Sequence, residues 1–333
     1  MVINKRLPNL DLLKVVSIYA VILLHALPIM SIKNQLDVVI VNLSRFAVPC
    51  FFILSGFFVG EKASSSYVYF FFLVKKVFIV FLFWNFFYLI IPTDFSEIQQ
   101  VGYLKYKYWI AYQLISHPYT VITQGLYGHL WFLNSLLCAY TYLYFVSKLD
   151  KKWVIYFALV FYVVNLLGGG YSQTDLGFSL PFTSRNGPFV SSLFFSIGWY
   201  FSQYTVSLSR LAILLMVICG GIGHILEYYY LNKNYPGAVH YEFLLFTPLF
   251  SAGVFMFFLK LKVSESVTIL GKYSLGIYVL HVLVLDYMSF FIKEFHLELS
   301  WVTFIGYTIF CYFVSLWLSV FLSKIDFFRK FVV

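Results

Sequence analysis

Two side chains able to do chemistry, Lys14 and His25, stand eleven residues apart in one apolar stretch. That stretch is Asn9 to Pro28, NLDLLKVVSIYAVILLHALP, and Asp11 lies three residues before the lysine. At about 100° per residue, eleven positions make roughly three full turns, so on a helix both project from one face, ~16 Å apart along the axis. An imidazole exchanges a proton near neutral pH without special tuning. It suits a general base toward a hydroxyl attacking an ester or thioester carbonyl. Each residue also has a plainer reading: a lysine snorkelling to the headgroups, and a histidine hydrogen-bonded between helices. An ionisable pair on one wall of a membrane segment is nevertheless costly to keep and is a functional candidate by default.

Other candidates are spread along the chain. Arg45 lies in SRFAVPCFFILSGFFVG, ahead of an apolar run ended by Ser55 and Gly56. An arginine that deep needs an anion, either Asp11 or a ligand phosphate, and both stay open. Lys75 and Lys76 are expected to open the third helix at the cytoplasmic surface, against lipid headgroups or a polyanionic substrate. His129 and Trp131 lie in Gly128 to Leu133, GHLWFL, expected to open the fourth helix. His281 and Asp286 fall in YSLGIYVLHVLVLD of the ninth. Histidines at helix mouths can equally be structural. No Ser/His/Asp triad can be assembled from spacing, and no GxSxG elbow, P-loop or GxGxxG occurs. Cys50, Cys138, Cys219 and Cys311 each sit in an apolar run without ligand spacing. They read as small buried hydrophobes, and no metal site is expected.

The elements that must position these residues are membrane helices. Of 333 residues 61% are hydrophobic and 11% charged, against about a quarter charged in soluble domains. The mean hydropathy is +0.84. The expected fold is an all-α integral membrane protein, a bundle of about ten transmembrane helices, forming one domain over 1–333 with no appended soluble domain. Apolar runs long enough to cross a bilayer fall at 9–30, 38–60, 73–92, 129–147, 153–170, 188–206, 209–230, 243–260, 268–292 and 300–322. The first lacks a signal-peptide exit and reads as retained. An even number puts both termini on one side. Of the 23 Lys and Arg, fifteen fall on the side of the N-terminus and six on the other, with Lys14 and Arg45 inside helices. The positive-inside rule then places both termini in the cytoplasm. The net charge of +9 follows from this topology rather than from nucleic-acid binding. Residues 93–128 read as an interfacial amphipathic helix, and 171–187 as a polar loop suited to a hydrophilic contact. The plainer reading of both is a solvated connector.

Several stretches together resemble the acyltransferase 3 family of bacterial membrane O-acyltransferases. They are Asp11, Lys14 and His25; Arg45 with Pro49 and the run Phe51 to Phe57; His129 to Leu133; Gly198-Trp199-Tyr200; and Ser274 to His281. The resemblance implies ten core helices, acyl-CoA as donor on the cytoplasmic side, and a glycan acceptor outside; the expected donor is acetyl-CoA. It implies His25 as catalytic base and Lys14 as a donor-holding residue, with Arg45, Lys75 and Lys76 as further donor-binding candidates. Asp11, Ser55, His129, Trp131 and His281 are possible support. The expected activity is O-acetyl transfer to a sugar hydroxyl of an envelope polysaccharide, such as lipopolysaccharide O-antigen, capsule or a lipid-linked precursor. The expected site is the bacterial inner membrane. Lys14 stands where the family commonly has Arg, replacing a planar fork by a point charge. Lys75 and Lys76 are adjacent where it often has a spaced pair of arginines. A transporter or flippase of a lipid-linked glycan is the alternative, with Lys14 and Arg45 binding anions in a cavity. No paired inverted halves favour it.

Overall fold

A backbone in lipid has no water to bond, so its polar groups must be satisfied internally. Every regular element among the described residues is accordingly helical. The computed structural model describes residues 7–27, 35–60, 62–237, 241–265, 268–296 and 300–333. The chain begins with α1 (Pro8–Ala26), α2 (Gln35–Ser44), α3 (Ala47–Val59), the single turn α4 (Lys62–Ser65) and α5 (Tyr67–Ile90). Three shorter helices follow: α6 (Phe95–Val101), α7 (Tyr103–Ser116) and α8 (Pro118–Gln124). A 3-10 turn (Gly128–Leu130) leads into α9 (Trp131–Val146), then α10 (Lys151–Gly168), α11 (Pro188–Gln203) and α12 (Arg210–Asn234). The chain closes with α13 (Thr247–Leu259), α14 (Thr268–Gly271), α15 (Ser274–Glu294), α16 (Trp301–Ser323) and α17 (Asp326–Val332). Helix starts are capped as their sequences dictate. Side-chain oxygens of Ser66, Asp94, Asp150, Ser209 and Ser300 accept first-turn N–H groups of α5, α6, α10, α12 and α16.

Each of the ten expected apolar runs contains a helix among the described residues. Among the described residues seven spans are long and apolar enough to cross a membrane, so the chain is a multi-pass integral membrane protein. The helices α9, α11 and α13, of 16, 16 and 13 residues, fall short of the expected length. Other departures have local causes. The second run breaks at Arg45 and Phe46 because Pro49 has no N–H to give the Arg45 carbonyl four residues back. The third helix begins at Tyr67 instead of 73, capped by Ser66, so Lys75 and Lys76 stand more than two turns inside it rather than at its opening. Residues 93–128 form three helices instead of one, broken at Gly102, which has positive φ, and at His117 ahead of Pro118. The ninth run is interrupted at Lys272 and Tyr273, between α14 and α15. Cys219, expected to be buried, is exposed on α12. Lys5, Arg6, Lys33 and the end of the first run at 28–30 lie outside the described residues.

The core has two apolar clusters. One gathers side chains of α3, α9, α10, α11 and α13, such as Phe52, Leu143, Phe194 and Phe255. The other gathers α1, α5, α15, α16 and α17, including Ile22, Trp84, Leu280 and Phe331. They meet along α1, α3 and α9, which contribute to both or border both. Helices α3 and α11 pack backbone to backbone through two glycines. A Cβ on Gly56 would lie 2.0 Å from the Phe195 carbonyl oxygen, and one on Gly198 would lie 1.9 Å from that of Ile53. Small residues permit this close approach where lipid offers helices no hydrophobic drive to associate. Large apolar side chains left outside, such as Phe86, Leu226 and Trp317, are the surface that a bilayer covers.

Candidate functional site

The site begins with α1. Pro8 occupies its first turn, where a missing N–H costs nothing, and Leu10, Leu13, Ile18 and Ile22 bury one side of it. The face left over carries Lys14 and His25, and both line one cavity of about 370 Å³ between the two core clusters. That volume falls in the range of small-molecule sites. It accommodates an extended acyl arm better than an entire nucleotide. Ser55, Lys76, His129 and Trp131 line it too. The structure therefore brings together six of the ten candidates from α1, α3, α5 and the start of α9.

At the end of the cavity near the N-terminus of α1, Lys14 Nζ donates to Asp11 Oδ1 at 2.7 Å and lies 5.1 Å from the Phe58 ring. Asp11 is almost fully buried, so this bond keeps its carboxylate paired. Lys76 comes in from α5, and Lys272 from the turn after α14. That turn sits close to α1, because a Cβ on Gly271 would meet Asp11 Cβ at 2.6 Å. In the sequence Lys272 is one of the fifteen cations counted on the side of the N-terminus. Its position directly after Gly271 and before the SLGIY run was the available signal.

At the other end three imidazoles gather. The His25 and His281 rings are 5.2 Å apart at 60°, and those of His129 and His281 are 5.5 Å apart at 75°. His25 exposes its ring, whereas His129 and His281 are 4% and 0% exposed. His281 Nδ1 lies 2.6 Å from the Tyr278 carbonyl oxygen. A carbonyl only accepts, so the proton is on Nδ1 and the lone pair on Nε2, which has no partner. Neither ring nitrogen of His129 has a partner either, although its carbonyl accepts the Tyr278 hydroxyl at 2.5 Å. Buried unpaired polar atoms in a native fold call for an explanation, and a ligand group entering this cavity is one.

The remaining candidates lie off this lining. Lys75 is exposed beside Lys76 on α5. Arg45, freed from the helix ladder by Pro49, faces neither Asp11 nor the cavity. Its Nη1 is 3.5 Å from Glu242, and Arg185 Nη1 reaches the same carboxylate at 2.7 Å. The Arg185 guanidinium also lies 5.6 Å from the Trp131 ring centre, so the charge cluster backs directly onto the cavity wall. Both carriers are fixed. Ser135 donates to the Arg185 carbonyl at 3.0 Å, and Ser184 to Asn165 at 2.8 Å. The segment after Glu242 gives the N–H groups of Leu245 and Phe246 to Glu227. The loop 171–187, read as a polar contact or connector, thus delivers Arg185 inward. Neither Arg185 nor Glu242 was singled out from the sequence, since no local pattern marks a contact this distant along the chain.

Comparison with known proteins places the chain. A family described as an acyltransferase domain, acyltransferase 3, matches residues 7–324. Among curated proteins, a serine/alanine racemase of Enterococcus gallinarum is 24% identical over 294 residues, covering 82% of this chain and 40% of that protein. An amino-acid racemase of Enterococcus faecalis is 24% identical over 306 residues, covering 84% of this chain and 41% of that one. The chain therefore spans about two fifths of the length of these relatives. No solved structure matches it. A family match that runs from the start of α1 through the end of α16 shows that the chain belongs to the acyltransferase 3 family of membrane proteins.

Proposed function

We propose that this protein is a membrane O-acetyltransferase that moves an acetyl group from acetyl-CoA to a sugar hydroxyl of an envelope glycan. The observation that carries this reading is the single cavity bounded by Lys14, Lys76 and Lys272 at one end and by His25 at the other. Phosphates of the donor would meet the lysines as point charges, and the pantetheine arm would run along α1, a distance of about 16 Å at 1.5 Å per residue. The thioester would then lie beside His25. In the reaction, a ring nitrogen of His25 takes the proton of the sugar hydroxyl while its oxygen attacks the thioester carbonyl. The tetrahedral intermediate collapses with cleavage of the C–S bond, and the CoA thiolate leaves as the thiol after taking the proton back from His25. The buried lone pair on His281 Nε2 supports a role in orienting His25. His129 is the buried group available to the oxyanion. Apolar walls such as Val21, Phe51 and Leu133 would exclude the water that hydrolyses thioesters. The charge asymmetry supports a bacterial inner-membrane protein with cytoplasmic termini, and the family match over nearly the whole chain supports one acyltransferase domain. The racemase activity named for the relatives is not carried over, since this chain spans only two fifths of them.

The test is mass spectrometry of envelope glycans from cells with the wild type or an empty vector, together with binding of labelled acetyl-CoA to the purified protein. An alkali-labile increment of one acetyl group, seen only with the wild type, is expected. A wild type that binds no acetyl-CoA and leaves every glycan unmodified would favour the transporter alternative.

Lys14 offers a finer check. Because it acts as a positive point charge tied to Asp11, Lys14→Arg is expected to keep most donor affinity. Lys14→Ala should raise the KM for acetyl-CoA roughly tenfold or more, the scale of a lost charge-assisted bond. Steady-state kinetics on both variants decides it, and equal, complete loss in both would assign Lys14 a structural role instead.

A further inference from the structure

A second cavity, of about 340 Å³, lies under the short helices α6 to α8, where α5 ends and α9 begins. Its construction differs from that of the first. Tyr106, Trp109 and Tyr127 present aromatic surface, Gln113 and Gln124 present amides, and Asp94 and Glu97 present carboxylates. Among the described residues its lining holds no lysine or arginine. The nearby Lys107 is turned aside, donating to the carbonyls of Leu89 and Ile90 at the end of α5. The cap that forms the roof is pinned to the bundle. Asn85 accepts the Leu126 N–H at 2.7 Å, Asn134 donates to the Thr123 carbonyl at 3.1 Å, and Tyr287 donates to that of Pro92 at 3.2 Å.

The two cavities are back to back. Tyr88 and Tyr127 line the second, and their rings lie 5.4 and 6.3 Å from that of His129, which lines the first. A ligand under the cap is therefore one side chain away from the histidine cluster.

We propose that this second cavity binds a neutral pyranose ring of the acceptor glycan, stacked on Trp109. The proposal rests on the acetyltransferase reading for the word acceptor, but the sugar site stands on its own geometry. A pyranose has apolar C–H faces that suit aromatic surface and an edge of hydroxyls that both donate and accept. Carboxylates take the donated bonds, and amides serve both roles. Two carboxylates with no lysine or arginine among the described lining residues, where His117 is the one imidazole, disfavour a uronate or a phosphorylated sugar, because an anion brought here meets like charge.

The test uses the purified full chain in detergent, with methyl glycosides of neutral hexoses and of a hexuronate as probes, read by ligand-observed NMR. Binding of labelled acetyl-CoA is measured on the same samples. Trp109 is half-exposed, so its replacement leaves the core packing untouched. The wild type is expected to bind a neutral hexoside, and the matching hexuronate more weakly. Trp109→Ala should weaken sugar binding roughly tenfold and leave acetyl-CoA binding unchanged, while Trp109→Phe should retain most of it. Sugar binding equal in Trp109→Ala and wild type overturns the proposal. So does a hexuronate bound as tightly as the hexose, or a wild type that binds acetyl-CoA but no hexoside. Sugar binding that depends on Trp109 in a protein that binds no acetyl-CoA keeps the sugar site and overturns the acetyltransferase reading.

Discussion

Replacing His25 by alanine is expected to lower acetyl transfer by roughly 10²- to 10⁴-fold, the contribution of a positioned general base, with little change in folding. The reason for the separation is where the ring sits. His25 is in the last turn of α1 with its ring open to the cavity, so removing it enlarges a space that already exists and strips no packed core. His281 and His129 are different. Both are buried, and His281 holds the Tyr278 carbonyl, so their alanine variants mix a loss of chemistry with a loss of structure. His281→Asn keeps a donor at that position and should cost transfer less than His25→Ala. Rates with labelled acetyl-CoA, measured beside thermal unfolding of the detergent-solubilised protein, separate the effects. A His25→Ala protein that transfers at the wild-type rate would remove this residue from the chemistry and make His129 the next group to test.

How much of this was legible beforehand depended on the range of the interaction. The spacing of Lys14 and His25 is a helical periodicity, so their common face could be derived from the sequence, and the cavity that both line follows it. The break at Arg45 was also legible in principle, because Pro49 removes the bond to its carbonyl, yet the strong apolar run around it reads as one helix. Gly102, at positive φ, and Pro118, which keeps His117 out of helical geometry, likewise split residues 93–128 into three helices. Hydrophobic periodicity sees faces and not interruptions. The pairing of Arg45 and Arg185 with Glu242 had no local signature at all. It joins three segments far apart in sequence, and only the packing of α3 against α11 and α13 brings them together. Lys272 illustrates a different blind spot: a cation near a helix end satisfies the topology rule equally well whether it faces headgroups or a cavity.

Gly56→Ala and Gly198→Ala are each expected to destabilise the protein strongly, and the double variant by less than the sum. An added Cβ at either position would sit about 2 Å from a backbone oxygen of the facing helix, 2.0 Å for Gly56 and 1.9 Å for Gly198. No side-chain rotation can relieve a contact with backbone, so α3 and α11 must separate. Overpacking of this kind typically costs about 1–3 kcal/mol and occasionally more. Once one methyl has forced the helices apart, the second enters a gap already opened, which makes the pair non-additive. Gly306→Ala is the matched control. It lies exposed on α16 with nothing within 4 Å of the new Cβ, and helix propensity alone favours alanine there by about 1 kcal/mol. Thermal unfolding of the four variants beside the wild type in one detergent measures all of these effects. Function should follow stability unevenly, because α3 carries Phe51 and Ser55 into the cavity wall. A shifted α3 would reshape the wall opposite His25, so the folded fraction of Gly198→Ala should still transfer poorly. Wild-type stability in both single variants would mean that α3 and α11 do not meet through these glycines, and the cavity wall built on that contact would fall with it.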